Sequence, residues 1–159
     1  MFRLSKKVSE EKLKNFIKKI QGKQFAENKN LLNAPWKYIK KKKFEFFFIL
    51  INNKIIGSLV ILNTYYSSHL SFLYIINKYR NNKIGSYLIK KFENYKKKKL
   101  KTIHVTKSLN NAMKFYENKG YTKYINQKDE KLLRWISRCN AFDKTTFNKR
   151  FLYYKYIKS

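Results

Sequence analysis

The stretch Tyr79-Arg80-Asn81-Asn82-Lys83-Ile84-Gly85-Ser86-Tyr87-Leu88 constrains this chain most. A nearly all-apolar run, Leu70 to Ile76, precedes it, and an amphipathic segment, Ile84 to Tyr95, follows. Such a run reads as a strand covered on both faces. Ile84, Leu88, Phe92 and Tyr95 recur at helical spacing, and Lys96 to Lys99 suit a helix C-terminus. Strand, short basic turn, then helix is the arrangement that aims backbone N–H groups at a phosphate.

The rest of the chain supplies a sheet for that unit. Phe2 to Leu4 reads as a short first strand. Ser9 is placed to cap a helix that carries Leu13, Phe16, Ile17 and Ile20 on one face. Trp36, Tyr38 and Ile39, after the Asn33-Ala34-Pro35 turn, suggest a second short helix. Phe44 to Ile51, Asn52-Asn53-Lys54 and Ile55 to Leu62 read as a hairpin, with a second turn over Tyr65 to Ser68. Leu100 to Val105 is the next strand. Ala112, Phe115 and Tyr116 then line a short helix that Gly120 can end. Tyr121 to Ile125 and Phe151 to Ile157 are the closing strands, with Lys131 to Phe142 helical between them.

Charge admits two explanations. The 159 residues carry 38 basic against 9 acidic side chains, a net +29. Such a field fits a polyanion partner, nucleic acid among them. The basic set, however, is 33 Lys and 5 Arg, beside 17 Asn and 16 Ile, which is the signature of A/T-rich codons. A dedicated nucleic-acid surface uses more Arg, for its bidentate geometry. Either origin draws in anionic ligands and repels polycations. Thirteen Phe and thirteen Tyr are enough to fill a core. The lone Cys139 excludes an internal disulfide and fits a reducing, cytoplasmic setting. The longest apolar run, Phe46 to Ile51, is too short to span a membrane. The first residues hold no apolar signal core.

A second marker, Asn110-Asn111-Ala112-Met113-Lys114-Phe115-Tyr116-Glu117-Asn118-Lys119-Gly120-Tyr121, follows the first. With it the chain resembles the GNAT N-acetyltransferase superfamily. In that family the strand before the loop carries L-x-V-x-P-x-Y-R, and the loop carries R/Q-x-x-G-x-G/A. Leu73, Ile75, Asn77, Tyr79 and Arg80 stand in the first pattern; Arg80, Lys83 and Gly85 stand in the second. Asn77 replaces a proline and Lys83 replaces a glycine. The second marker resembles N-x-x-A-x-x-F/L-Y-x-x-x-G-F/Y through Ala112, Phe115, Tyr116, Gly120 and Tyr121. The usual asparagine slot holds Leu109, with Asn110 one residue late.

The resemblance implies an α/β fold of the α+β type: one domain over 1–159. Its mixed, largely antiparallel sheet has about six to seven strands, splayed in the middle, with helices on both faces. It implies acetyl-CoA as co-substrate and no metal. The pantetheine arm would pair along Leu73, Tyr74 and Ile75. The pyrophosphate would lie on Arg80, Asn81, Asn82, Lys83, Ile84, Gly85 and Ser86, with Asn110 and Asn111 also near the cofactor. Tyr116 would protonate the leaving thiolate, against the plainer reading of a core aromatic. The general base is open among Glu45, His69, His104 and a water chain, with His69 preferred. The acceptor would be a small or anionic primary amine. A macromolecular amine, such as a protein N-terminus, a Lys or an aminoacyl-tRNA, is the second reading, and a non-enzymatic nucleic-acid binder the third. Residues 127–150 form an insertion near the acceptor, with Arg134, Trp135 and Arg138 as candidate lining. A monomer or homodimer is expected.

Overall fold

The computed structural model describes residues 2–9, 11–12, 15–16, 44–64, 67–125 and 150–157. Among these residues, seven strands run in the order β1 (Arg3–Ser5), β2 (Phe44–Ile51), β3 (Lys54–Asn63), β4 (Ser67–Ile75), β5 (Leu100–Thr106), β6 (Thr122–Lys123) and β7 (Arg150–Tyr156). Helix α1 (Ile84–Glu93) separates β4 from β5, and α2 (Asn110–Glu117) separates β5 from β6. The sheet order is β1-β2-β3-β4-β5-β7-β6. The β1/β2, β2/β3, β5/β7 and β6/β7 pairs are antiparallel; β4 and β5 are parallel. This is the mixed, largely antiparallel sheet expected of an α+β chain.

One compact unit comprises residues 1–63 and 71–91. Its hairpin turns on two residues, Asn52 and Asn53, both at positive φ (48° and 60°). A two-residue loop needs that backbone to match the strand twist, and Asn tolerates it. Pairing shifts between Ile49↔Gly57 and Leu50↔Ile55, so Ile56 is the extra residue of a bulge. The Ile56 carbonyl accepts the N–H of Ile76 at 2.9 Å, just past β4. Gly57 is required by crowding: a Cβ there would stand 2.6 Å from the Tyr74 carbonyl oxygen. Phe48 and Leu50 form a buried cluster with Val8, Phe46 and Ile55 packed on it. Glu11, Lys12, Asn15 and Phe16 are helical. The Ser9 hydroxyl accepts the Lys12 N–H at 3.3 Å, as its capping position predicts.

The second unit comprises residues 64–70 and 92–159. Here α2 ends as Gly120 predicts. Gly120 stands at φ +78°, its N–H reaches Glu117 O, and the Tyr121 N–H reaches Tyr116 O. That pair of bonds is a Schellman motif. The Lys155 ammonium of β7 donates to Lys119 O, just past α2, at 2.7 Å and to Glu93 Oε1 at 2.8 Å. Leu70, Leu100, Ile103, Val105, Tyr121, Leu152 and Tyr153 are buried.

Two expectations about β4 need correction. The strand begins at Ser67, not Leu70, and His69 lies inside it. Ser67 and Ser68 read in sequence as the end of a turn, and His69 as a residue just before the strand; the triplet is polar. It is held in the strand because it pairs with Leu100, Lys101 and Thr102 and is buried there. Nor is the apolar run covered throughout, since Phe72 is exposed. The expected helix Lys131 to Phe142, the segment holding Trp36 and residues 127–149 of the expected insertion, with Arg134, Trp135, Arg138 and Cys139, lie outside the described residues; Arg150, the last of that insertion, opens β7.

Candidate active site

The turn after β4 has a defined backbone. Asn77–Tyr79 form one 3₁₀ turn, closed by Tyr79 N–H on Ile76 O and Arg80 N–H on Asn77 O. Asn77, in the family's proline slot, opens this turn. Asn81 and Lys83 then stand at φ +66° and +58°. Asn visits that region readily; a lysine there carries a β-carbon penalty of ~1–2 kcal/mol. Lys83 therefore keeps the conformation a glycine would adopt, and its side chain is exposed. The Lys83 carbonyl accepts the Tyr87 N–H at 3.0 Å, which is the first bond of α1. The N–H groups of Ile84, Gly85 and Ser86 precede that bond and have no intrahelical partner to use. They form the positive end of the helix dipole. Ile84 is buried and anchors the turn, while Asn81 and Asn82 are exposed.

Arg80 is drawn back onto β4. Its Nε donates to the Ile75 carbonyl at 3.0 Å, and its guanidinium lies 5.7 Å from the Tyr74 ring centroid. Leu73, Tyr74 and Ile75 are half-buried. The ladder from β4 to β5 involves Ser67 to Leu70, whereas β4 itself runs on to Ile75. The structure thus brings Tyr74, Ile75, Arg80 and the Asn81–Ser86 turn into one locality of the first unit.

Tyr116, His69, Asn110 and Asn111 belong to the second unit. Asn110 and Asn111 are exposed on the first turn of α2. Leu109 occupies the N-cap position, and no side chain caps the helix. The Tyr116 ring is buried between Phe115 and Tyr121, edge-on to both. Burial pushes the Tyr116 hydroxyl well above the ordinary phenol range. Burial and the Glu93 carboxylate do the same to Tyr121. Both phenols hold their protons through any physiological pH.

The histidines are equally committed. His69 is buried, and its Nδ1 lies 3.0 Å from the Thr102 hydroxyl. Burial first, and the Arg150 charge second, lower its pKa to about 3. His104 meets it edge-on at 5.2 Å, and its pKa falls to about 2 from burial, His69 and Arg150. Both rings are neutral at working pH. Glu45 pairs with Lys6 at 3.1 Å. Lys101, unmarked in the sequence, is fully buried on β5 and donates to Tyr95 O at 2.7 Å. Burial lowers its pKa to about 8. No sequence signal marks it, because one lysine among 33 is not distinctive. Among the described residues, no group of three or more His, Cys, Asp or Glu could hold a metal ion. None of their helices is long and apolar enough to cross a membrane.

A family model described as an acetyltransferase (GNAT) domain matches residues 5–137. Solved structures share the fold. A GNAT-family acetyltransferase from Staphylococcus aureus Mu50 has a TM-score of 0.71 at 19% identity, over 99% of this chain and 100% of that one. The PaiA N-acetyltransferase of Thermoplasma acidophilum, in complex with coenzyme A, has 0.67 at 16%, over 99% of each chain. The Campylobacter jejuni N-acetyltransferase PseH, in complex with acetyl coenzyme A, has 0.64 at 16%, over 99% and 100%. No curated protein matches by sequence.

Proposed function

The chain belongs to the GNAT acetyltransferases, and from that premise we propose that it moves an acetyl group from acetyl-CoA to a primary amine. The observation that carries the cofactor half is the turn at Asn81 and Lys83. Two residues at positive φ lead into a helix whose Ile84, Gly85 and Ser86 N–H groups precede its first bond. That backbone suits a pyrophosphate, and it needs no particular side chain. Lys83 and Arg80 add charge beside it. Leu73, Tyr74 and Ile75 would accept the pantetheine arm as an added strand. Asn110 and Asn111, on the exposed first turn of α2, are assigned to the cofactor by the family pattern alone.

In the reaction the amine nitrogen attacks the thioester carbonyl. A C–N bond forms, the C–S bond breaks, and the sulfur leaves with the electron pair. Tyr116 is our choice for the group that meets the sulfur. Its raised pKa sharpens that role: the hydroxyl is always protonated and donates a hydrogen bond to the developing thiolate. The amine's own proton goes to solvent. His69 is neutral and able to accept a proton, but its pKa of about 3 makes it a weak base toward an amine, so we give it a hydrogen-bonding part. A net +29 favours a small anionic amine as acceptor. The same charge supports the second reading, a macromolecular polyanion such as aminoacyl-tRNA, whose binding would weaken steeply with salt.

A ligand that binds only the folded state raises the melting temperature, by an amount that grows with its concentration over Kd. Acetyl-CoA at saturation should therefore shift the thermal melt upward. An unmoved melt removes the acetyltransferase reading and leaves the nucleic-acid binder. Tyr116→Phe should lower kcat by ~10-fold or more with acetyl-CoA affinity unchanged in calorimetry. An unchanged kcat removes Tyr116 from the chemistry.

A further inference from the structure

Along β4, Ser67 to Leu70 are all buried, on both faces of the strand. Phe72, farther along the same strand, is 40% exposed. Phe72 and Tyr74 are two residues apart, so they share one face of the strand. Their rings lie nearly parallel, 11° apart with centroids at 6.2 Å. Tyr74 is held firmly. Phe16, buried, sets its edge against it at 6.3 Å, and the Arg80 guanidinium stands over it. Arg80 is itself fixed by its bond to the Ile75 carbonyl. The result is a stack braced at Tyr74 and open at Phe72, all within the first unit.

We propose that Phe72, backed by Tyr74, is the platform for the acceptor, and that the acceptor amine is borne on a planar aromatic group. This rests on the acetyltransferase reading, which puts the thioester along β4. An amine attacking there comes within reach of the side chains of that strand. A flat, preorganised and half-exposed ring selects flat partners, because stacking depends on ring geometry and not on apolar bulk alone. Its stack on Tyr74 orients the ring before any ligand binds, which lowers the ordering cost of binding.

Amines matched except for the ring test this: L-phenylalanine against L-norleucine, and phenethylamine against hexylamine, at saturating acetyl-CoA. The aromatic member of each pair should have the higher kcat/KM by ~10-fold, a typical worth for one stacked ring. Phe72→Leu keeps apolar bulk and should bring that ratio close to one; Phe72→Tyr keeps the ring and should preserve it. Neither variant should change acetyl-CoA affinity in calorimetry, and weakened acetyl-CoA binding in Phe72→Leu would assign the platform to the cofactor instead. Acetyl-CoA bound normally with no ring preference overturns the platform alone. Failure of acetyl-CoA to bind at all overturns the underlying reading and the platform with it.

Discussion

At the residue scale, Lys83 separates what a side chain does from what a backbone does. It stands where the family pattern has glycine, yet it adopts φ +58°, so the turn keeps its course at a conformational cost. That cost survives only because Ile84 is buried on one side and the α1 hydrogen bond to Tyr87 fixes the other. Two variants divide the contributions, since alanine and glycine both remove the charge but only glycine removes the Cβ. Lys83→Gly should be more stable than Lys83→Ala by ~1 kcal/mol in urea unfolding. Equal stabilities would mean that the turn is not held in this conformation. Any loss of acetyl-CoA affinity common to both measures the charge. The position was legible in sequence as a departure from the pattern. Its φ was not, because nothing in the string Asn81-Asn82-Lys83 prescribes which residues turn left-handed.

At the element scale, the two helices are anchored differently. The C-terminus of α2 is closed by Gly120 and by Lys155 from β7, while its N-terminus opens on Leu109, which offers no capping oxygen. The asparagine expected by the family pattern is displaced by one residue, so it sits in the first turn instead of the cap. Leu109→Asn should raise stability by ~1 kcal/mol, read from the denaturation midpoint at unchanged slope. An unchanged midpoint would show that the α2 N-terminus gains nothing from a side-chain cap. Strand β4 illustrates the opposite difficulty. Its apolar half predicted itself, but its first three residues, Ser67, Ser68 and His69, belong to the strand only through partners on β5. Parallel pairing joins segments distant in sequence, so local composition cannot announce it.

At the scale of the whole molecule, burial sets the response to pH. His69 and His104 have folded-state pKa values of about 3 and about 2, against 6.5 when exposed. The unfolded chain therefore binds more protons than the folded one as pH falls below 6.5, and stability must fall with it. The loss begins near pH 6.5 and continues down through the folded-state values. Thermal melts between pH 7 and pH 4 should show a falling melting temperature, with a shallower fall in His104→Gln. An identical slope in that variant would take His104 out of the effect. Lys101 acts in the same sense at the other end. Its lowered pKa of about 8 means the unfolded chain holds the extra proton between about pH 8 and 10.5, so burying this lysine costs least at alkaline pH.

What the sequence by itself determined is local and periodic. The hairpin at Asn52-Asn53, the helix from Ile84, the Gly120 terminus and the family markers at Arg80–Gly85 and Ala112–Tyr121 all depend on residues within a few positions of one another. Turn chemistry and helical spacing therefore express them directly. What only the tertiary structure decided depends on partners far along the chain. The left-handed Lys83, the Cβ-intolerant Gly57, the neutral His69 and His104, the buried Lys101 and the exposed Phe72 are set by which strand, ring or charge lies across from them. Phe72 is the clearest case. In the string it is one more apolar residue of a core strand, and only the structure shows it open to solvent and backed by Tyr74.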